Sequence, residues 1–279
     1  NTEKSRILFL SDPFGRYVEP EVEQAAFEVL SACGCDVRVL PVVGAGASLL
    51  SKGFVDAAKR HAAKVLDALK QADPTREAAI VGLEPPDIYC LKNDYFDLLP
   101  DRRDEIASLA ARTWFLDEFL VRSDFFRSLR VGTSSDVILR EQSNRRIPPQ
   151  SGETLRYAQG DKPRIFFQPH CHQRAEGPSA DGLPSGTGAT VEMLRLCGYD
   201  VEELETGCCG MAGTFGYEAE HYELSMRVGE LKLFPIIQKD NRKSKIAGSG
   251  AACRMQIQQG TGAEEVHPIM LVAQALREG

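Results

Sequence analysis

Apolar and polar positions alternate along the chain in one pattern that occurs twice. The first half opens with a short apolar run, Ile7–Leu10, bounded by a loop of Pro and polar residues, and the second half opens with Ile165–Phe167 in the same setting. Runs this short, bounded in this way, read as buried strands. Amphipathic segments follow, predicting helices over Glu19–Cys33 and roughly Ala189–Cys197, each stopped by a glycine (Gly34, Gly198) suited to the left-handed cap position. Second strands are expected at Val37–Val43 and Val201–Leu204, followed by Gly-rich turns. Further helices are expected at Phe54–Gln71 and Glu218–Lys239, the latter bent or ended by Pro235. Third apolar runs, Ala78–Leu83 and Lys245–Ala247, close each half. Asp101–Arg130 reads as helical, and Thr133–Lys162 as a polar connector containing Pro148-Pro149.

Strands alternating with helices predict parallel βαβ units. The expected fold is α/β, with two lobes related by a pseudo-twofold axis, each a mostly parallel sheet flanked by helices. The corresponding division is a first repeat over 1–130, a connector over 131–163 and a second repeat over 164–279. Residue matches support the duplication. Leu30–Val37 resembles Leu194–Val201 at an offset of 164, Arg6–Phe9 matches Arg164–Phe167 at 158, and Ile80–Gly82 matches Ile246–Gly248 at 166. The drift is what loop insertions produce. Carried forward, these offsets set Pro13 opposite Cys171, Gly44-Ala45 opposite Cys208-Cys209, and Asp87 opposite Cys253.

Composition narrows the classes. With 279 residues, 43% of them hydrophobic and 26% charged, the chain has the makeup of a folded protein. A net charge of -7 argues against nonspecific nucleic-acid binding, which needs a basic surface. No apolar run predicts a transmembrane segment. Asn1–Arg6 is polar, without a signal-peptide apolar region or an initiating Met, so the chain reads as an excised piece of something longer.

Eight cysteines are too few for a small disulfide scaffold, and the adjacent pair Cys208-Cys209 suits a metal centre better than a bridge. That favours a reducing, cytoplasmic setting, with a membrane reached only through a partner. Cys171, Cys208, Cys209 and Cys253 each follow an expected strand, and strand C-terminal ends of parallel sheets gather at one edge. Gly207, Gly210, Gly213, Gly248 and Gly250 flank them and let backbone approach a bulky centre. Soft thiolates suit iron–sulfur clusters or zinc. Cys33, Cys90 and Cys197 read instead as small buried hydrophobes.

Three segments carry a family resemblance: Gln168–Gln173 around Cys171, Cys208–Glu218, and Ser249–Ile257 around Cys253. They resemble the cysteine-rich CCG domain of heterodisulfide reductase and glycolate oxidase iron–sulfur subunits. The likeness is strongest to the C-terminal part of FAD-linked oxidases of the D-lactate and D-2-hydroxyglutarate dehydrogenase type. Arg16–Pro20, Leu49–Gly53 and Gly82–Pro85 resemble the family's first repeat. The resemblance implies an electron-transfer domain with one [4Fe–4S] cluster on Cys171, Cys208, Cys209 and Cys253. Its expected partners are FAD-containing and ferredoxin-like domains of the same protein or complex. FAD belongs to the partner, since the chain has no flavin fingerprint. Zinc held by the same thiolates, in a structural or docking module, is the alternative reading, and a stand-alone subunit with thiol or disulfide chemistry is a third. Two departures stand out. Gly250 occupies the place of a CxxC cysteine, which argues against a paired noncubane cluster. Pro13, Gly44, Ala45 and Asp87 leave the first repeat without thiolates, so its site is expected to be dead.

Other polar groups carry weaker expectations. His170 and His172 flank a candidate ligand, but on an extended segment they cannot face the same way. One of them can tune the centre or handle a proton, or else serve as a surface or capping histidine. His267 could reach the same edge, and Arg254 could balance cluster charge or lie in solvent. Glu19, Glu21 and Glu23 read as a solvated helix face. Gly44-Ala45-Gly46 lacks the GxGxxG spacing of a nucleotide loop.

Overall fold

The computed structural model describes residues 5–128, 162–240 and 244–278. They form two four-stranded parallel sheets with the same strand order. In the first, β1 (Arg6–Ser11), β2 (Asp36–Val43), β3 (Ala79–Gly82) and β4 (Thr113–Phe115) lie in the order β2-β1-β3-β4. In the second, β5 (Arg164–Gln168), β6 (Asp200–Glu203), β7 (Lys245–Gly248) and β8 (Glu265–Val266) lie in the order β6-β5-β7-β8. Even the register repeats: Arg6 pairs with Asp36 as Arg164 pairs with Asp200, and Ile7 with Ala79 as Ile165 with Lys245. The expected pair of pseudo-twofold lobes is the observed fold.

Helix packing obeys the same symmetry. Helix Pro20–Ala32 of the first lobe packs on Pro268–Glu278 of the second, and Gly186–Leu196 of the second packs on Leu116–Arg122 of the first. The apolar faces of these four helices, with Phe9 and Phe167 from the central strands, make one core shared by both lobes. Each lobe adds a core of its own on its outer face, built around Leu66, Ile80 and Tyr95 in the first and Phe166, Phe234 and Ile257 in the second. A shared core places the strand C-terminal ends of both lobes where they can face a common cleft.

Two sequence expectations are corrected. Asp101–Arg130 is not one helix: helix Arg103–Ala110 ends before β4, whose Thr-Trp-Phe sequence has strand character and pairs with β3 through Ile80 and Thr113. Glu218–Lys239 is two helices, Tyr222–Leu231 and Leu233–Lys239, separated at Lys232 rather than at Pro235. Pro235 sits in the first turn of the second helix, where a missing N–H costs nothing. The polar connector, apart from Lys162, lies outside the described residues. Among the described residues, no helix is long and apolar enough to cross a membrane.

Candidate metal centre

Three consecutive strand ends of the second lobe deliver its cysteines. After β5 the chain turns at His170 into helix Cys171–Ala175; after β6 it makes an irregular loop through Cys208-Cys209; after β7 it enters helix Ala251–Thr261, which carries Cys253. All four of these cysteines line one small cavity, with Met211 and Ala252 between them. Cys209 and Cys253 are buried, while Cys171 and Cys208 are exposed. Cys171 and Cys253, far apart in sequence, thus share one wall because parallel strands end at one edge.

The double-cysteine loop is fixed by its neighbours. Gly210 has φ +108, and a Cβ there would stand 2.1 Å from the Ser225 carbonyl oxygen, so only glycine fits. Its amide donates to Cys208 Sγ at 3.3 Å. Gln256, on the helix that bears Cys253, donates from Nε2 to the carbonyls of Cys209 at 3.1 Å and Ser225 at 2.9 Å. The Cys208 thiol interacts with Cys209, and Cys209 in turn with Cys253. Contact with Cys209 and then burial push the Cys208 thiol up. For Cys209 the Cys208 hydrogen bond pulls down, but contact with Cys253 and burial outweigh it and raise the thiol well above its ordinary range. Burial, then the charge of Cys208, raises Cys171. These shifts hold Cys171, Cys208 and Cys209 as neutral thiols, whose protons a soft cation would displace.

The histidines depart from the expectation that they face apart, while His170 bears out the capping reading. The segment is a helix start rather than an extended strand, so His170 and His172 stack on each other with ring centroids 5.1 Å apart. His170 acts as the cap: its Nδ1 accepts from the His172 amide at 3.1 Å, which leaves the ring proton on Nε2. Burial, then His172, lowers its pKa to about 3. His170, Cys171 and His172 bring ligand atoms within 4.8 Å of one another. The His170 ring fills the space beside Gly250, where a Cβ would be 2.4 Å away. Where the resembling family often has a fifth cysteine, this chain has a histidine ring over a glycine.

His267 does not join the thiols. It caps helix Pro268–Glu278, accepting at Nδ1 from the Ile269 amide at 3.1 Å, and faces a separate small cavity beside Asp117. Arg254 is not solvated: only 3% exposed, it donates to the Gly248 and Ser249 carbonyls and pairs with Glu19 and Glu265. Glu19 is therefore not a solvated residue, nor is Glu23, which is buried and pairs with Arg16; Glu21 is exposed. Cys90 and Cys197 are fully buried among apolar side chains, and Cys33 packs against the shared core.

The first lobe shows the counterpart pocket closed. Asp12 caps helix Pro13–Tyr17, accepting from the Phe14 and Gly15 amides, as His170 caps the matching helix. Pro13, Gly44 and Asp87 converge, the Asp87 carboxylate and Pro13 ring both lying within 3.3 Å of a Cβ position at Gly44. Asp87 Oδ1 accepts from the Ala45 amide at 2.7 Å and the Ala47 amide at 3.4 Å. Tyr95 Oη donates to the Ala45 carbonyl at 2.9 Å. These residues do not fit a cluster or a tight zinc ion: they supply one donor side chain, already committed to backbone. Sequence reasoning gave Asp12 no role, and Glu84 none beyond its place in the Gly82–Pro85 resemblance. Their signal was position alone, each opening a helix at a strand end.

No protein-family model matches the chain. Among curated proteins, it is 24% identical over 97% of its length to D-2-hydroxyglutarate dehydrogenase of Pantoea ananatis, and 24% over 99% to that of Escherichia coli. It is 25% identical over 98% of its length to a subunit of the anaerobic glycerol-3-phosphate dehydrogenase of Escherichia coli. These are oxidoreductase polypeptides. The chain spans 22% and 23% of the two hydroxyglutarate dehydrogenases and 60% of the glycerol-3-phosphate dehydrogenase polypeptide, so it corresponds to a part of each. The similarities support an oxidoreductase-related role.

Proposed function

We propose that this chain is an electron-relay unit of a flavin-dependent dehydrogenase acting on a 2-hydroxyacid or a similar small alcohol, with one iron–sulfur centre held by Cys171, Cys208, Cys209 and Cys253. The observation that carries the reading is the meeting of these four cysteines at one cavity wall. The donor set fits the group: four thiols, soft ligands in the number a single [4Fe–4S] cluster needs. Bound there, the cluster supplies one-electron redox capacity. The chain's own residues do the rest. The Gly210 amide, already donating to Cys208, stabilises charge on that sulfur and so favours the reduced state. Burial of Cys209 and Cys253 keeps water from the inner side. Gln256 holds the Cys208-Cys209 loop against the helix bearing Cys253 and fixes their spacing.

The flavin and the substrate site belong in this reading to another domain or subunit, in keeping with relatives of which this chain matches only a part. The 1–130 and 164–279 repeats then share the work unequally, the first serving as scaffold and the second as metal holder. A tetrahedral zinc site is the second reading. The direct interaction of Cys209 with both Cys208 and Cys253 favours it, because Zn–S bonds of about 2.3 Å draw sulfurs close together. Visible absorption of anaerobically purified protein separates the two. Broad absorption at about 400 nm, as expected of iron–sulfur proteins, that bleaches on reduction supports the relay; a colourless zinc protein overturns it.

A further inference from the structure

Between the lobes lies a cavity of about 430 Å³, within the range of small-molecule sites. It opens beside the cysteine wall, with which it shares His170, Cys171, Ala212, Gly213 and Ala252. We propose that this cavity binds an uncharged, mainly apolar ring compound carrying a hydrogen-bonding oxygen, and that it rejects carboxylate anions, the hydroxyacids included.

The shape and greasiness of the walls point to a ring. Phe14, Leu50 and Pro86 of the first lobe face Ala252 of the second, and apolar atoms dominate the lining. Charge decides the rest. Glu84, Asp87 and Asp94 line the cavity, and neither lysine nor arginine does. The nearby cations are already committed: Arg254 to Glu19 and Glu265, Lys52 to Glu218, and Lys92 to Glu118 and Glu176. An anionic ligand would leave part of its hydration for a site with no countercharge and carboxyl groups on its wall, an unfavourable exchange.

A cationic ligand is disfavoured as well. Asp87 spends its charge on two backbone amides, burial pushes Asp94 above its ordinary range, and burial, then the charge of Asp12, raises Glu84 to about 8, so that its carboxyl is mostly neutral near pH 7. Glu84 accepts from the Ala251 amide at one oxygen and, when protonated, offers an O–H donor from its carboxyl. The His172 ring, stacked between Tyr89 and His170, adds a flat face to the wall. A neutral donor on an otherwise apolar wall matches a carbonyl or hydroxyl oxygen. The metal-ligand positions lost from the first lobe thus leave Pro13 and Asp87 as part of the cavity wall.

The test uses three probes with one ring system and different charge: 2-naphthol, 2-naphthoate and 2-naphthylmethylammonium. Each is titrated into the 279-residue chain at pH 7 by calorimetry, alongside the variant Leu50→Trp, which fills the cavity, and Glu84→Met, which removes the carboxyl donor. Circular dichroism confirms that both variants are folded. 2-Naphthol is expected to bind, with both charged probes at least tenfold weaker. Leu50→Trp should abolish binding and Glu84→Met should weaken it several-fold. Absence of naphthol binding, equal or tighter binding of either charged probe, or indifference to Leu50→Trp overturns the proposal. Since the readout is binding, a chain found to hold zinc would refute the relay and leave the cavity proposal standing.

Discussion

The Asp87 carboxylate accepts a 2.7 Å hydrogen bond from the Ala45 amide, and that bond closes in the first lobe the pocket that holds Cys208, Cys209 and Cys253 in the second. Asp87 stands where Cys253 stands, and Ala45 where Cys209 stands, so a carboxylate-to-backbone bond replaces a pair of interacting thiols. The expected consequence is that Asp87→Cys creates no new metal site. It loses both amide contacts of a buried acceptor and destabilises the chain by about 1–3 kcal/mol. Asp87→Asn keeps an acceptor and should cost less. Urea unfolding, with metal content measured on the same samples, checks both expectations; extra bound metal in Asp87→Cys would show the pocket to be open.

The His170 ring and Gly250 exclude each other's enlargement. Gly250→Ala places a methyl 2.4 Å from the ring and should destabilise by about 1–3 kcal/mol, the usual cost of overpacking. Combining it with His170→Ser, which retains a capping oxygen and clears the ring, should recover part of the loss. A double-mutant cycle on thermal unfolding measures the coupling, and additive effects would mean the ring moves aside freely.

Arg254 depends on Glu19 across the lobe boundary. Glu19→Ala removes one partner of a guanidinium that is only 3% exposed, leaving Glu265 and two carbonyls to hold it. A loss of about 2–4 kcal/mol is expected, while Arg254→Met, which removes the charge and keeps apolar bulk, should cost less. Denaturant midpoints of the two variants decide the order.

Asp117 gives stability a pH dependence. Burial, opposed first by the Thr190 hydrogen bond, raises its carboxyl from 3.8 to about 7. Between those values the folded chain keeps a proton that the unfolded chain has released, so this contribution to stability falls as pH rises and is lost above about 7. Asp117→Asn should therefore show a smaller drop in melting temperature between pH 5 and pH 8 than the parent protein. An identical drop in both would remove Asp117 as the cause.

Much of this was legible in the amino-acid sequence because parallel βαβ units write themselves as spaced apolar runs. Among the described residues, six of the eight strands could be read from such runs, and the offsets between matching segments anticipated the paired register of β1 and β5. The missing strands, β4 and β8, span three and two residues, too short for any period to show. The cysteines were visible because each follows a strand. His170 is the capping histidine that the sequence allowed, but its stacking on His172 was missed because the segment starts a helix and does not stay extended. Arg254 and Glu19 meet across 235 positions of sequence, and no local pattern encodes that contact.

The most direct test of the central claim is the iron and acid-labile sulfide content of chain purified and reconstituted without oxygen, measured beside Cys253→Ser. About four irons and four sulfides per chain, lost or strongly reduced in the variant, is the predicted result. One zinc and no sulfide per chain, or iron unchanged by Cys253→Ser, would contradict it.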